Sequence, residues 1–256
     1  MQWALKSETG RVRSHNEDSV FIHAPSEELV IVAVADGMGG HRAGDVASQL
    51  AVQVVKEQLR DITVEKPVSK LRDMLQKSIE QANRRVLEKP REDDGMAAMR
   101  TTLVIAILKA DQSLIGNIGA SRAYLINEQG CKQMTRDHSL VNELIDIGEI
   151  TEVEALAHPQ KNILVRAVGT DPEVLPDIIE HKWEANDYLL VCTDGLTNMV
   201  SDEHICEVIR TDNTIEWKAD ELIRQALEAG GVDNISLALV KRTVANVSPG
   251  SDQEAG

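Results

Sequence analysis

Leu29-Val30-Ile31-Val32-Ala33-Val34-Ala35-Asp36-Gly37-Met38-Gly39-Gly40 is the stretch around which the rest of the chain is organised. Its apolar, largely β-branched run from Leu29 to Ala35 has no polar interruption and is short for a helix, so it predicts a buried strand. The run stops at Asp36, and the glycines beyond it predict a tight turn. Immediately downstream, Val46, Leu50 and Val54 with Ala47, Ala51 and Val55 fall on one helical face, and Leu71, Leu75, Ile79, Ala82 and Val86 do so again. Lys89-Pro90 ends the second helix, and Arg91-Glu92-Asp93-Asp94-Gly95 reads as a loop.

Outward from this unit, strands are expected at 101–108, 113–118, 121–126 and 131–134, and an edge strand at 2–7. A basic turn lies at Thr9-Gly10-Arg11-Val12-Arg13. The segment from His138 to Asp171 turns polar and helical, as a small insertion would. Strands resume at 174–181 and 188–192, helices follow at 202–210 and 215–229, and a last strand covers 235–240. Strand blocks interrupted by paired helices predict a layered α+β fold in one domain, residues 1–242, with a disordered Ser/Gly/Asn/Asp-rich tail at 243–256.

The 256 residues suffice for a substantial core, and with aromatics at 2% that core rests on Val, Ile, Leu, Ala and Met. A net charge of −15 repels nucleic acid and anionic membranes and favours divalent cations. Three cysteines, an odd and low count, argue against a disulfide scaffold and fit a reducing cytoplasm. No apolar run approaches the roughly 20 residues of a membrane span, and the first residues lack the shape of a signal peptide, so a cytoplasmic location is expected.

One local design recurs. A short apolar strand meets an aspartate beside a tight turn in Ala33-Val34-Ala35-Asp36-Gly37, Val191-Cys192-Thr193-Asp194-Gly195 and Gly231-Val232-Asp233-Asn234-Ile235. Carboxylates at buried strand ends repel one another unless a cation lies between them. Oxygen ligands without a His or Cys cluster favour Mg²⁺, Mn²⁺ or Ca²⁺ over zinc. Asp-Gly is also a common structural turn, and spacing alone does not show that the three converge.

Further motifs complete a pattern in chain order: Gly10-Arg11-Val12-Arg13-Ser14-His15-Asn16-Glu17-Asp18, Ala35-Asp36-Gly37-Met38-Gly39-Gly40-His41, Thr101-Thr102, Asn117-Ile118-Gly119-Ala120-Ser121-Arg122-Ala123-Tyr124, Asp137-His138-Ser139, Val168-Gly169-Thr170-Asp171, Thr193-Asp194-Gly195-Leu196-Thr197 and Gly231-Val232-Asp233-Asn234-Ile235-Ser236. Over almost its whole length the chain resembles the metal-dependent Ser/Thr protein phosphatases of the PPM or type 2C family, in particular the compact bacterial members. The resemblance implies a four-layer α-β-β-α sandwich, two central antiparallel sheets flanked by helices, with 139–171 as a mobile flap beside the site.

By the same resemblance, Asp36 would bridge two Mn²⁺ or Mg²⁺ ions, Gly37 would offer its carbonyl, and Asp194 and Asp233 would complete the second ion's shell. Asp18 and Glu17 would act directly or through water. Water held between two ions about 3.5–4 Å apart would lose its proton near neutral pH, and the resulting hydroxide would attack phosphorus in line. Arg13 would grip the phosphate, its planar fork matching two oxygens. His41 and His138 are read equally well as proton donors or as locally bonded loop histidines, and neither is counted as catalytic. A cysteine phosphatase is excluded, because the sixth residues after Cys131, Cys192 and Cys206 are Asp137, Asn198 and Asp212 rather than arginine.

Two positions depart from the family pattern. Ala120 stands where an aspartate helps to hold a third ion, and Arg100 stands where a glycine is usual. If Arg100 points inward, both changes disfavour that ion and lower turnover. The expected substrates are phosphorylated Ser/Thr proteins, including a bacterial Ser/Thr kinase, acted on by a monomer. Two other readings stay open: a catalytically attenuated phosphoprotein-binding module with the same fold, and a structural Ca²⁺ domain, which lacks any EF-hand loop and leaves Arg13 without a purpose.

Overall fold

The computed structural model describes residues 1–39, 43–89 and 99–243. In chain order the elements are β1 (Gln2–Glu8), β2 (Asp18–Ser26), β3 (Leu29–Met38), α1 (Ala43–Leu59), α2 (Val68–Glu88), β4 (Arg100–Thr101), β5 (Leu103–Lys109), β6 (Gln112–Ile118), β7 (Arg122–Asn127) and β8 (Gly130–Gln133). Then come α3 (Leu140–Asp146), α4 (Glu152–Leu156), β9 (Asp177–Lys182), β10 (Tyr188–Cys192), α5 (Asp194–Thr197), α6 (Asp202–Arg210), α7 (Ile215–Glu228) and β11 (Ile235–Lys241).

The strands form two antiparallel sheets, β1-β11-β10-β7-β8 and β2-β3-β5-β6-β9, with β4 pairing the end of β3. Alternation along β3 explains its uninterrupted apolar run. Leu29, Ile31, Ala33 and Ala35 pack with α1 and α2, whereas Val30, Val32 and Val34 face Leu189, Val191, Ala238 and Val240 of the other sheet. A third cluster joins the outer face of the first sheet to α6 and α7 through Leu190, Leu237, Ile205, Ala219 and Leu222. The result is the expected α-β-β-α sandwich, with helices on both outer faces.

Several local expectations change. Asp36 and Gly37 do not turn: β3 stays extended through Met38, with Asp36 opposite Asp18 and Gly37 opposite Thr101. Glycine is needed there for close approach, since a Cβ on Gly37 would overlap the Gly44 carbonyl at the start of α1. The single strand expected over 101–108 breaks at Thr102, whose amide and hydroxyl are engaged by the backbone oxygen and nitrogen of Asp36. β2 was not expected; its central residues are only half-buried, so its pattern is weak. Asp194-Gly195 opens a helix rather than a turn.

The cysteine count also misleads. Cys131 of β8 and Cys206 of α6 are joined, with Cα atoms 5.8 Å apart, while Cys192 is free and buried. The pair lies 75 residues apart in sequence and meets because α6 packs over the edge of the first sheet. Among the described residues no helix is long and apolar enough to cross a membrane. His41, the 91–95 loop and the tail from 244 lie outside the described residues.

Candidate metal centre

The two sheets bring their aspartates to one end of the sandwich. Asp18 begins β2 directly opposite Asp36 in β3. In the other sheet, β10 delivers Thr193 and Asp194, and Asp233 precedes the adjacent β11. Hydrogen bonds stitch the sheets together here. Thr193 Oγ1 donates to Asp18 Oδ2 at 2.9 Å and accepts from the Ser236 amide at 3.0 Å. The Glu17 amide donates to Asn234 Oδ1 at 2.8 Å, and Asn234 Nδ2 donates to the Thr9 and His15 carbonyls.

Asp36 is fixed through its backbone. Its amide donates to Thr102 Oγ1 at 2.9 Å, and its carbonyl accepts from Thr101 Oγ1 at 2.8 Å and from the Thr102 amide at 2.9 Å. Gly195 lets the first turn of α5 rest on the loop before β11, since a Cβ there would overlap the Asn234 carbonyl.

The electrostatics are those of crowded, desolvated acids. Burial pushes the Asp18 carboxyl up to about 7, the hydroxyls of Ser236 and Thr193 oppose that rise, and the charges of Asp194 and Asp233 add to it. Burial also raises Asp36 well above the usual range, helped by Asp18, Asp194 and Asp233. Asp194 is raised by burial and then by Asp233, and its carboxyl lies within hydrogen-bond reach of Asp36. Asp18 Oδ1 is buried without a partner. An orphaned carboxylate oxygen among acids that resist ionisation is an environment completed by a cation.

Among the described residues no three His, Cys, Asp or Glu side chains converge into an ion cage of their own. Mg²⁺ does not require one, because it keeps several waters and takes one or two carboxylates. The all-oxygen donor set therefore fits Mg²⁺ or Mn²⁺ bound through carboxylate pairs, with Gly37 in the same extended segment as Asp36.

Asp36 and Asp194 line a cavity of about 810 Å³ that is also lined by Val141, Ile145 and Leu156 of α3 and α4. Ala120 also lines it, so no carboxylate stands at that position of the wall. Arg100 does not: it is exposed on β4 and is not part of the lining, so the inward orientation considered from sequence is not adopted. Arg13 and Asp233 stand outside the lining as a pair, with Arg13 Nη2 donating to Asp233 Oδ2 at 2.8 Å. Glu17 Oε1 bonds His15 Nε2 at 2.8 Å.

His138 has a structural environment. It is 3% exposed, and its Nδ1 accepts from the Gly119 amide at 3.1 Å, which leaves the proton on Nε2. Nε2 lies 3.2 Å from Asp177 but off the direction of a good hydrogen bond. Burial lowers its proton affinity and Asp177 partly restores it. Residues to which the sequence assigned no role also shape the site. Thr193 holds the Asp18 carboxylate, the Asn234 side chain ties down the backbone of residues 9–17, and Arg122 donates to both oxygens of Asp137 at 2.8–3.0 Å in the cavity wall. All of these fall inside the motifs quoted above, which was the available signal.

Comparison with known proteins agrees with this architecture. The protein phosphatase 2C family model matches residues 9–229. A serine/threonine phosphatase stp of Listeria innocua is 40% identical over 244 residues, covering 95% of this chain and 97% of that one. The solved Streptococcus agalactiae serine/threonine phosphatase superposes with a TM-score of 0.87 at 37% identity, covering 93% of this chain and 98% of that one. A PstP catalytic domain in complex with two manganese ions gives a TM-score of 0.81 at 32% identity, covering 94% of this chain and 97% of that one. With a family model spanning most of its length and relatives near 40% identity, the chain belongs to the protein phosphatase 2C family.

Proposed function

We propose that this protein hydrolyses phosphoserine and phosphothreonine in proteins, with two Mn²⁺ or Mg²⁺ ions held by Asp18, Asp36, Gly37, Asp194 and Asp233. The observation that carries the reading is the crowding of Asp18, Asp36 and Asp194, contributed by both sheets, at one end of the sandwich, with Asp36 and Asp194 on a large cavity. Such ions, when bound, acidify an attacking water and neutralise phosphoryl oxygens.

The chain's own residues prepare that chemistry. Thr193 and the Thr101-Thr102 pair keep Asp18 and Asp36 facing each other. Arg13 spends one N–H on Asp233, which aims the guanidinium and leaves its other donors for phosphate oxygens. The segment 139–171 serves as a flap through α3 and α4, whose residues line the cavity. We assign the catalytic domain to residues 1–242.

The expected substrates are phosphorylated proteins in the cytoplasm, including a Ser/Thr kinase that this enzyme opposes, and the enzyme acts as a monomer. Nucleic acid is disfavoured as a partner by the net charge of −15. A third ion would bind weakly, because Ala120 presents a methyl to the cavity where a carboxylate would add charge. Ala120→Asp is expected to raise the manganese bound per chain above two and to increase turnover; unchanged stoichiometry and rate would refute that part.

Hydrolysis of a phosphothreonine peptide with Mn²⁺, with Mg²⁺ and with EDTA tests the whole reading. Turnover with either metal and its loss in EDTA are expected. Tight phosphopeptide binding without turnover would instead establish the attenuated binding module.

A further inference from the structure

A second cavity, of about 320 Å³, opens at the other end of the first sheet. Tyr188, where β10 begins, and Lys218 of α7 line it together with Lys241 at the end of β11. Tyr188 lies opposite Lys241, and Cys192 opposite Leu237, so the strand ends that lead to Asp194 and Asp233 point away from it. At about 3.3 Å per residue, the chain from Tyr188 to Asp194 spans roughly 20 Å. This cavity is therefore separate from the carboxylate centre.

Lys218 is 2% exposed, and its ammonium donates to the Tyr188 hydroxyl at 2.6 Å while lying 4.3 Å from the centroid of that ring. It forms no ion pair with a carboxylate among the described residues. An ammonium has three donors, so two remain beside the cavity, and a buried charge without a counter-ion is costly. Lys241 brings a second ammonium to within 5.3 Å of the same ring centroid. Arg210, at the wall, donates to the Glu128 carbonyl at 3.0 Å and likewise has no carboxylate partner among the described residues.

These three cations gather in a chain of net charge −15. The carboxylates of Glu128 and Asp212 are exposed, where water screens them. Asn186 lines the cavity with φ of 72°, the sole non-glycine residue in the left-handed region among the described residues.

We propose that this cavity binds a small phosphate dianion, either free phosphate or a phosphate monoester. Two ammonium groups and a guanidinium supply the charge for a dianion, and the side-chain amides of Asn186 and Asn213 add neutral donors. The volume is at the lower end of ligand pockets, roughly 300 Å³, which suits a small ion rather than a nucleotide or a peptide. The competing account is structural: the Lys218 stem packs under α7 and its ammonium only anchors Tyr188.

Equilibrium dialysis of radiolabelled inorganic phosphate against the full-length, Mg²⁺-loaded chain tests the proposal. An Arg13→Ala background separates this site from the carboxylate centre. One phosphate per chain is expected to remain bound in that background. Adding Lys241→Ala should weaken it at least about tenfold, and adding Lys218→Met should abolish it. The thermal midpoint should rise with phosphate in the Arg13→Ala protein and not in the Lys218→Met protein.

Phosphoserine that competes with phosphate identifies the monoester as a ligand; phosphoserine that does not compete assigns the site to the free ion. The proposal is overturned if no phosphate binds once Arg13 is removed. It is equally overturned if Lys241→Ala leaves binding unchanged, or if chloride at equal concentration displaces phosphate. Lys241 is half-buried at a strand end, so its variant keeps the test decisive should Lys218→Met fail to fold.

Discussion

Thr193 Oγ1 donates to Asp18 of one sheet and accepts from the Ser236 amide of the other, so one hydroxyl aligns both. Thr193→Val keeps the shape and removes both bonds. It is expected to cost about 1–3 kcal/mol of stability and to weaken Mn²⁺ binding by roughly 10–100-fold, read from urea melts and metal titration. A second expectation concerns pH. The Asp18 carboxyl, pushed up to about 7 in the folded protein, titrates near 3.9 in the unfolded chain. The folded state therefore holds a proton that the unfolded state releases. This contribution to stability is complete below about pH 4 and is lost as pH rises through about 7. In EDTA, the urea midpoint should fall as pH rises from about 4 to about 7, and Mn²⁺ should restore most at the upper end, where it replaces the proton. A midpoint that stays level in EDTA would contradict a desolvated acid cluster.

At the scale of elements, the site depends on segments that approach more closely than side chains allow. β3 meets the start of α1 at Gly37, and α5 meets the loop before β11 at Gly195. Gly37→Ala sets a Cβ against backbone rather than a movable side chain. It is expected to cost at least about 2 kcal/mol and to shift Asp36 enough to lower turnover, measured by denaturation and by kcat. The same elements show what sequence can convey. β3 was legible because both of its faces are buried, which leaves a continuous apolar run. The extension of that strand through Asp36 and Gly37 was not, because Asp-Gly resembles a turn unless the Thr101-Thr102 partner is known. β2 was hidden by half-burial, and the link between Cys131 and Cys206 by 75 intervening residues. The Asp18–Asp36 pairing depends on β2 register and could not be derived from strand-end patterns alone.

At the scale of the whole molecule, two sheets with separate outer helix layers share an inner core and open at one end, where acids from both meet. The fold class was legible because helical and strand periodicities alternate in blocks. The approach of Asp36 to Asp194 was legible only through the order of motifs along the chain, since nothing local distinguishes such a strand end from a structural turn, and Asp233 stands outside the cavity lining, paired with Arg13. The cavity wall and the Arg122–Asp137 pairing arise from contacts between distant segments. That pair is partly buried, and Arg122 also lies 4.0 Å from Asp202. Asp137→Asn is expected to cost about 1–3 kcal/mol, a drop in thermal midpoint that a calorimetric scan would detect.

The most direct test of the account is the initial rate of phosphate release from a phosphothreonine peptide at saturating Mn²⁺, for Asp36→Asn against the unaltered chain. If Asp36 carries the metal chemistry, the rate falls by on the order of 10³-fold or more. An Asp36→Asn protein that keeps its fold and stays within about tenfold of the unaltered rate would contradict the assignment of the centre to these buried carboxylates.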